Sequence, residues 1–292
     1  MFARMLFPTD VTASSHMLLD CVPEFKVAGL RQVVLLNVIR KSEVPLGDTP
    51  LNADSMAYVR WSREEHLHLA RLALEGRGLF ALTRVEYGAP AQEIVRVAQE
   101  ERVDWMVMGT EGWSATMEAL IGGTLFDVLR QASVPVLILK FDAVRELEHA
   151  ECRQVCRHIF ARVLHPTDFS DSAGAAFNLV KRLKSAGTEE VVLLHVEDER
   201  ATQRQATASF EQMRRDLALY GLPAKTMSRR GVPSREVLKV ADEEDASVIV
   251  LGLHGRSALR EMIGGGTFET VVRQSRKPVL VVRGESSARV TQ

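Results

Sequence analysis

Hydrophobic residues in this chain come as short unbroken runs, separated by stretches in which they recur every three or four positions. Val33-Val34-Leu35-Leu36 and Val191-Val192-Leu193-Leu194 are the clearest runs. A strand covered by helices on both faces reads this way, whereas a half-exposed strand alternates. Arg4–Phe7, ended by Pro8, and Leu79–Val85, Trp105–Met108 and Val136–Leu139 read as further strands. Between them the spacing turns helical. Leu67, Ala70 and Leu74 place a helix over Glu64–Leu74, and Ile94, Val97 and Ala98 place one over Ala91–Glu101. The latter opens on Gly88-Ala89-Pro90, with proline near the first turn. Thr12 or Ser14 can cap a helix running through His16-Met17-Leu18-Leu19, and another runs from Thr124 to Arg130. The order β-α-β-α-β-α-β-loop-α-β predicts an α/β fold built on a doubly wound parallel sheet.

That pattern is written twice. Met5-Leu6-Phe7-Pro8-Thr9-Asp10 returns as Val163-Leu164-His165-Pro166-Thr167-Asp168. Gly88-Ala89-Pro90 with Glu93 returns as Gly231-Val232-Pro233 with Glu236, and Pro135-Val136-Leu137 returns as Pro278-Val279-Leu280. From Gly88 to Lys140 the second copy follows without a gap, with roughly two positions in five identical. Two tandem domains are expected, over 1–143 and 161–284, with a tail at 285–292. Asp10 and Gly88 lie 78 positions apart but Asp168 and Gly231 only 63, so the first copy carries fifteen additional residues. We place them within Lys41–Arg60, whose two prolines, glycine and polar residues read as a surface loop, either a plain excursion or a lid or partner-binding segment. Residues 144–160 read as a connecting helix packed on one domain, with Leu147, Val155 and Ile159 on one stripe. Cys152, Cys156, His149 and His158 on it are better explained as helix-borne thiols and imidazoles than as a zinc site. His66 and His68 face opposite sides of their helix and read as surface residues.

Charge and composition narrow the field. Lys and Arg number 37 against 38 Asp and Glu, which argues against a bulk electrostatic grip on nucleic acid or membrane. Three cysteines make no disulfide framework and suit a reducing compartment. The N-terminus MFARMLFPTD has no apolar signal core, and no run approaches membrane-spanning length. A cytoplasmic location is the expectation.

The chemistry concentrates where a parallel sheet binds ligands, beyond the carboxyl ends of its strands. Asp10 and Asp168 follow the first strand of each copy, and Val38 and Val196 end the second. A loop of pattern G-x2-G-x9-G-G-T follows the fourth: Gly109, Gly112, Gly122, Gly123, Thr124, and Gly252, Gly255, Gly265, Gly266, Thr267. Its last glycines open a helix, where unpaired N–H groups and the positive dipole end favour an anion. It is neither a Walker A loop nor a dinucleotide fingerprint. Glycines that merely let a tight turn pack on the sheet are the competing explanation.

These residues together resemble the universal stress protein family, in its tandem form. The resemblance rests on the Pro-Thr-Asp end of the first strand, the Leu-Leu-x-Val second strand, Gly-x-Pro-x-x-Glu and G-x2-G-x9-G, and covers nearly the whole chain outside the insertion and tail. It implies Rossmann-like domains of the adenine nucleotide alpha hydrolase-like type. In nucleotide-binding members the Asp and the Val touch the adenine end, while the loop glycines and a following Ser or Thr hold ribose and phosphates. Carried over, the stronger site is Pro166, Thr167, Asp168, Val196, Gly252, His254, Gly255, Arg256, Gly265, Gly266 and Thr267. The weaker is Pro8, Thr9, Asp10, Val38, Gly109, Gly112, Gly122, Gly123 and Thr124. The ranking follows from charge: His254 and Arg256 bring cations to the second loop, whereas the first carries Glu111 and Trp113.

One departure stands out. The family has Ser, Thr or Asn after the third glycine, where both copies here have Gly123 or Gly266. Losing one neutral hydrogen bond costs about 0.5–1.5 kcal/mol, which weakens phosphate binding without abolishing it, and Thr124 and Thr267 stand one residue on. The expected ligand is AMP or ATP, with or without Mg2+, in a stress-response binding and signalling module. Alternatives are a non-nucleotide-binding member acting only through protein contacts, a weak ATPase, or an adenylyl-transferring enzyme of related fold. The absence of a nucleophile elbow, His-Glu-x-x-His or P-loop lysine favours binding over catalysis. The hydrophobic last strands, Val136–Leu139 and Val279–Val282, would pair across a dimer in single-domain relatives. Here they imply an intramolecular pseudo-dimer, leaving a homodimer open.

Overall fold

The computed structural model describes residues 2–43, 51–110, 123–140, 149–197, 203–253 and 266–284. The chain divides into two compact units, Met1–Arg157 and His158–Gln292.

In the first unit β1 (Arg4–Pro8), β2 (Gln32–Ile39), β3 (Phe80–Tyr87), β4 (Trp105–Thr110) and β5 (Val136–Lys140) form a parallel sheet in the order β3-β2-β1-β4-β5. This is the doubly wound order, and the chain reverses direction across the sheet between β1 and β4. The unit's helices are α1 (Ala13–Cys21), α2 (Leu51–Glu75), α3 (Pro90–Glu100), α4 (Thr124–Gln131) and α5 (His149–Arg157). Val33 to Leu36 are buried, as the unbroken run predicts, and Phe2 and Phe25 close on the buried Trp105 at 4.7 and 5.2 Å.

The second unit repeats the plan. Its strands are β6 (Arg162–Pro166), β7 (Glu190–Glu197), β8 (Ala224–Arg230), β9 (Val248–Gly252) and β10 (Val279–Val282). They run parallel in the order β8-β7-β6-β9-β10. Its helices are α6 (Asp171–Arg182), α7 (Gln203–Leu219), α8 (Pro233–Glu243) and α9 (Thr267–Gln274). Both Gly-x-Pro-x-x-Glu motifs have one local cause. Gly88 and Gly231 turn at φ +153° and +143°, and the Glu93 or Glu236 carboxylate folds back into the space a side chain would need.

Two expectations need correction. The segment Lys41–Arg60 is not loop throughout, because α2 begins at Leu51 and runs 25 residues against 17 for α7. The turn-forming residues Pro45, Gly47 and Pro50 all precede it, and Leu51–Val59 contains neither Gly nor Pro to stop a helix. The stripe on the connecting helix is also shifted. In α5, Cys156 and Ile159 just beyond it are buried while Val155 is 43% exposed, and Leu147 lies outside the described residues. That helix packs on α1 and on the 3-10 turn Val22–Ala28, with Arg157 paired to Glu24 at 2.8 Å.

Candidate functional site

Each crevice starts at the turn leaving the central strand. In the first unit Thr9 N–H donates to the Leu36 carbonyl at 2.8 Å, and the buried Asn37 side chain donates to the Thr9 carbonyl at 2.8 Å. The turn then feeds on its own side chains: Val11 N–H donates to Thr9 Oγ1 at 3.1 Å and Thr12 N–H to Asp10 Oδ1 at 3.1 Å. These successive side-chain turns drive Val11 to φ +64°, a left-handed conformation that a β-branched residue adopts only when its neighbours enforce it. Thr12 then caps α1 by accepting from Ser15 N–H.

The second unit builds the same device bond for bond. Thr167 N–H donates to the Leu194 carbonyl at 2.8 Å, and His195 Nδ1 bonds the Thr167 carbonyl at 2.8 Å. Phe169 N–H donates to Thr167 Oγ1 at 3.0 Å and Ser170 N–H to Asp168 Oδ1 at 3.0 Å. Phe169 sits at φ +59°, and Ser170 caps α6. Asp10 and Asp168 are thereby held at the carboxyl ends of β1 and β6, beside the switch point. Val38 and Val196, near the ends of β2 and β7, are half-buried on one flank, and Gly109 and Gly252, at β4 and β9, stand on the other.

Hydrogen bonds favour the charged form of the first unit's carboxylate. Burial alone would raise the Asp10 pKa, but hydrogen bonds from the Ser15 hydroxyl, the Thr12 hydroxyl and the Thr12 N–H outweigh it, and the group titrates below the usual range. Ala173 stands in place of Ser15 in the second unit, so that hydroxyl is missing there. His165, one strand position before Pro166, is fully buried and stacked on Phe177 at 5.9 Å. Burial pushes its pKa down to about 4, only partly opposed by its bond to the Val250 carbonyl and by the nearby Asp168.

Gly252 has a packing cause of its own. A Cβ there would lie 2.5 Å from the Ser172 carbonyl oxygen, because the first turn of α6 lies across the end of β9. Gly123 differs: among the described residues nothing lies within 4 Å of where its Cβ would stand. Gly123 and Gly266 are the N-caps of α4 and α9, and neither offers a side-chain hydrogen bond to the first turn. Thr124 and Thr267 follow as the first helical residues, half-buried. Pro8 and Pro166 end β1 and β6. Gly112, Gly122, His254, Gly255, Arg256 and Gly265, with Glu111 and Trp113, lie outside the described residues.

Four residues at the crevices drew no role from sequence: Ser15, Asn37, Phe169 and His195. Asn37 and His195 carried a signal, a polar residue at the same register inside an otherwise apolar strand. Phe169 packs its ring against His195 at 4.7 Å and Phe210 at 5.7 Å, an aromatic wall that the first unit does not repeat, having Val11 and Leu67 at those places.

Comparison with known proteins places these crevices in context. The family model described as the universal stress protein family matches residues 1–140 and 160–283. A universal stress protein of Methanocaldococcus jannaschii is 31% identical over 159 residues, covering 44% of this chain and 98% of the relative. One from Mycobacterium tuberculosis is 24% identical over 212 residues, covering 71% of this chain and 70% of the relative. The crystal structure of a universal stress protein from Archaeoglobus fulgidus is 27% identical, with a TM-score of 0.77 over 96% of both chains.

Proposed function

The chain belongs to the universal stress protein family and carries two copies of its domain; from that premise we propose that it is an adenine-nucleotide-binding module, taking AMP or ATP at the carboxyl edges of its sheets. The observation that carries the reading is the duplicated Thr-Asp turn beside the switch point, held by matching hydrogen bonds in both units. It fixes one carboxylate per unit as an acceptor for the amino group of a base. Val38 or Val196 supplies an apolar contact for the ring. The uncapped first turns of α4 and α9 offer N–H groups to phosphate at the end of each glycine loop.

The second unit is the stronger site in this reading. Its aromatic wall of Phe169, His195 and Phe210 suits the face of a base. His254 and Arg256 bring cations to its loop, where the first unit has Glu111. The ligand in this reading is AMP or ATP, with or without Mg2+; among the described residues no group of three or more His, Cys, Asp or Glu is placed to hold a metal. The role is binding and signalling in the cytoplasm, and among the described residues no helix is long and apolar enough to cross a membrane.

A second reading has one observation behind it. Among the described residues nothing crowds Gly123, so their packing does not account for glycine where the family has a hydroxyl. A member acting only through protein contacts would have no need of that hydroxyl. Mass spectrometry of the supernatant from denatured, purified protein tests the two. Released adenine nucleotide, or binding of added AMP or ATP in the micromolar range, supports the first reading. Neither release nor binding refutes it.

A further inference from the structure

Helix α2 has two apolar faces. Leu67, Ala70 and Leu74 are buried against the first unit's sheet. Tyr58, Trp61, Leu69 and Leu72 fall within one narrow arc on the opposite side at 100° per residue, and are 67, 58, 58 and 48% exposed. Tyr58 and Trp61 pack on each other at 5.9 Å. Glu65 lies in the same arc with no hydrogen-bond or ion-pair partner among the described residues, and His68 borders it. A groove of about 500 Å3 runs alongside, between α2 and the edge strand β3, with Trp61, Glu65 and His68 on one wall and Thr83 to Glu86 on the other. The fold does not require this stripe. The places of Trp61, Leu69 and Leu72 are held in α7 by Arg204, Gln212 and Arg215.

We infer that this face of α2 is a docking surface for a second copy of the same chain, packed helix against antiparallel helix. The stripe complements itself in that arrangement. Tyr58, Trp61, Glu65, His68 and Leu72 follow a three-four spacing, and antiparallel seams place the first position of each heptad opposite the fourth of its partner. Trp61 then meets Leu72 of the second copy, and Glu65 meets His68 of the second copy, each contact occurring twice about the two-fold axis. The unpaired carboxylate thereby gains a donor in place of water. The four apolar side chains offer on the order of 400–500 Å2 per copy, so the pair buries about 800–1,000 Å2 before the groove's rim is counted, which approaches the roughly 1,000 Å2 of a specific interface. This inference does not rest on nucleotide binding.

Sedimentation velocity of the full chain from about 1 to 100 µM tests it. The wild type is expected to dimerise. Trp61→Lys and Leu72→Lys each raise the dissociation constant at least about thirtyfold, as central interface anchors do. Glu65→Lys weakens the dimer, and adding His68→Glu restores it by exchanging the charges across the axis. Because Trp61, Glu65, His68 and Leu72 are all exposed, circular dichroism of the variants should match the wild type, and so should thermal unfolding at concentrations below the wild-type dissociation constant, where both are monomeric. A wild type that stays monomeric overturns the inference, as does a dimer whose dissociation constant ignores Trp61→Lys and Leu72→Lys. Failure of the charge exchange to restore a weakened Glu65→Lys dimer overturns the pairing.

Discussion

Val11, Asn37 and Leu67 in the first unit correspond to Phe169, His195 and Phe210 in the second, yet the backbone they surround is the same. Both turns take the same hydrogen bonds, both force a non-glycine residue to positive φ, and both end in a Thr or Ser cap. The turn is therefore the fixed part of the crevice and its wall the adjustable part. The contrast extends into the core, where buried Phe7 in β1 corresponds to buried His165 in β6. One unit has kept an apolar interior beside its carboxylate, and the other has placed a titratable ring and an aromatic wall there.

The three tryptophans, at 61, 105 and 113, all belong to the first unit, so their fluorescence separates the two halves in any unfolding experiment. The largest effect should come from Gly252→Val, which forces a side chain into the first turn of α6. It should destabilise the second unit by at least about 3 kcal/mol. Far-ultraviolet dichroism should show that loss while the tryptophan transition stays near its wild-type midpoint.

Acid should divide the units next. His165 takes a proton near pH 6.5 when unfolded but only near pH 4 when folded, so protons favour the unfolded state between those values. The second unit's stability is complete above about pH 6.5 and falls by about 2–3 kcal/mol on approach to pH 4. His165→Phe, which copies the first unit, should flatten that dependence; an unchanged acid profile would remove His165 as its cause.

Restoring the family hydroxyl gives a smaller and opposite effect. Gly266→Ser should tighten AMP or ATP binding about three- to tenfold, the worth of one hydrogen bond. Gly123→Ser should fit without loss of stability, since no described residue crowds the position, and the proposed ranking of the two sites predicts a smaller change in affinity there. The smallest effect concerns Asp10. Its depressed pKa contributes stability above the unfolded value near 3.9 that is lost as pH falls through the lower folded value. Ser15→Ala should move the Asp10 carboxyl resonance titration upward and cost under about 1 kcal/mol at neutral pH, a difference that vanishes in acid.

Much of the fold was legible because burial on both faces writes itself as unbroken apolar runs and because the pattern occurs twice. Val33–Leu36 and Val191–Leu194 became β2 and β7, and Ile94, Val97 and Ala98 became the buried face of α3. The start of α2 was not legible, since two prolines and a glycine just before Leu51 made the whole insertion look like turn. The positive φ of Val11 and Phe169 was hidden because local preference opposes it, and only the tertiary pinning of the Thr-Asp turn imposes it. The packing cause of Gly252 was likewise invisible, because it depends on a helix some eighty positions away. Spacing could mark Asp10, Asp168 and the loop glycines, but the wall formed by Phe169, His195 and Phe210 joins three distant elements.

Titration calorimetry of AMP and ATP into the full-length protein, its Asp168→Ala variant and its Asp10→Ala variant tests the nucleotide reading most directly. The expected result is one dominant site per chain, with its heat abolished by Asp168→Ala and largely kept by Asp10→Ala. No heat from the wild type, or equal loss from the two substitutions, would contradict it.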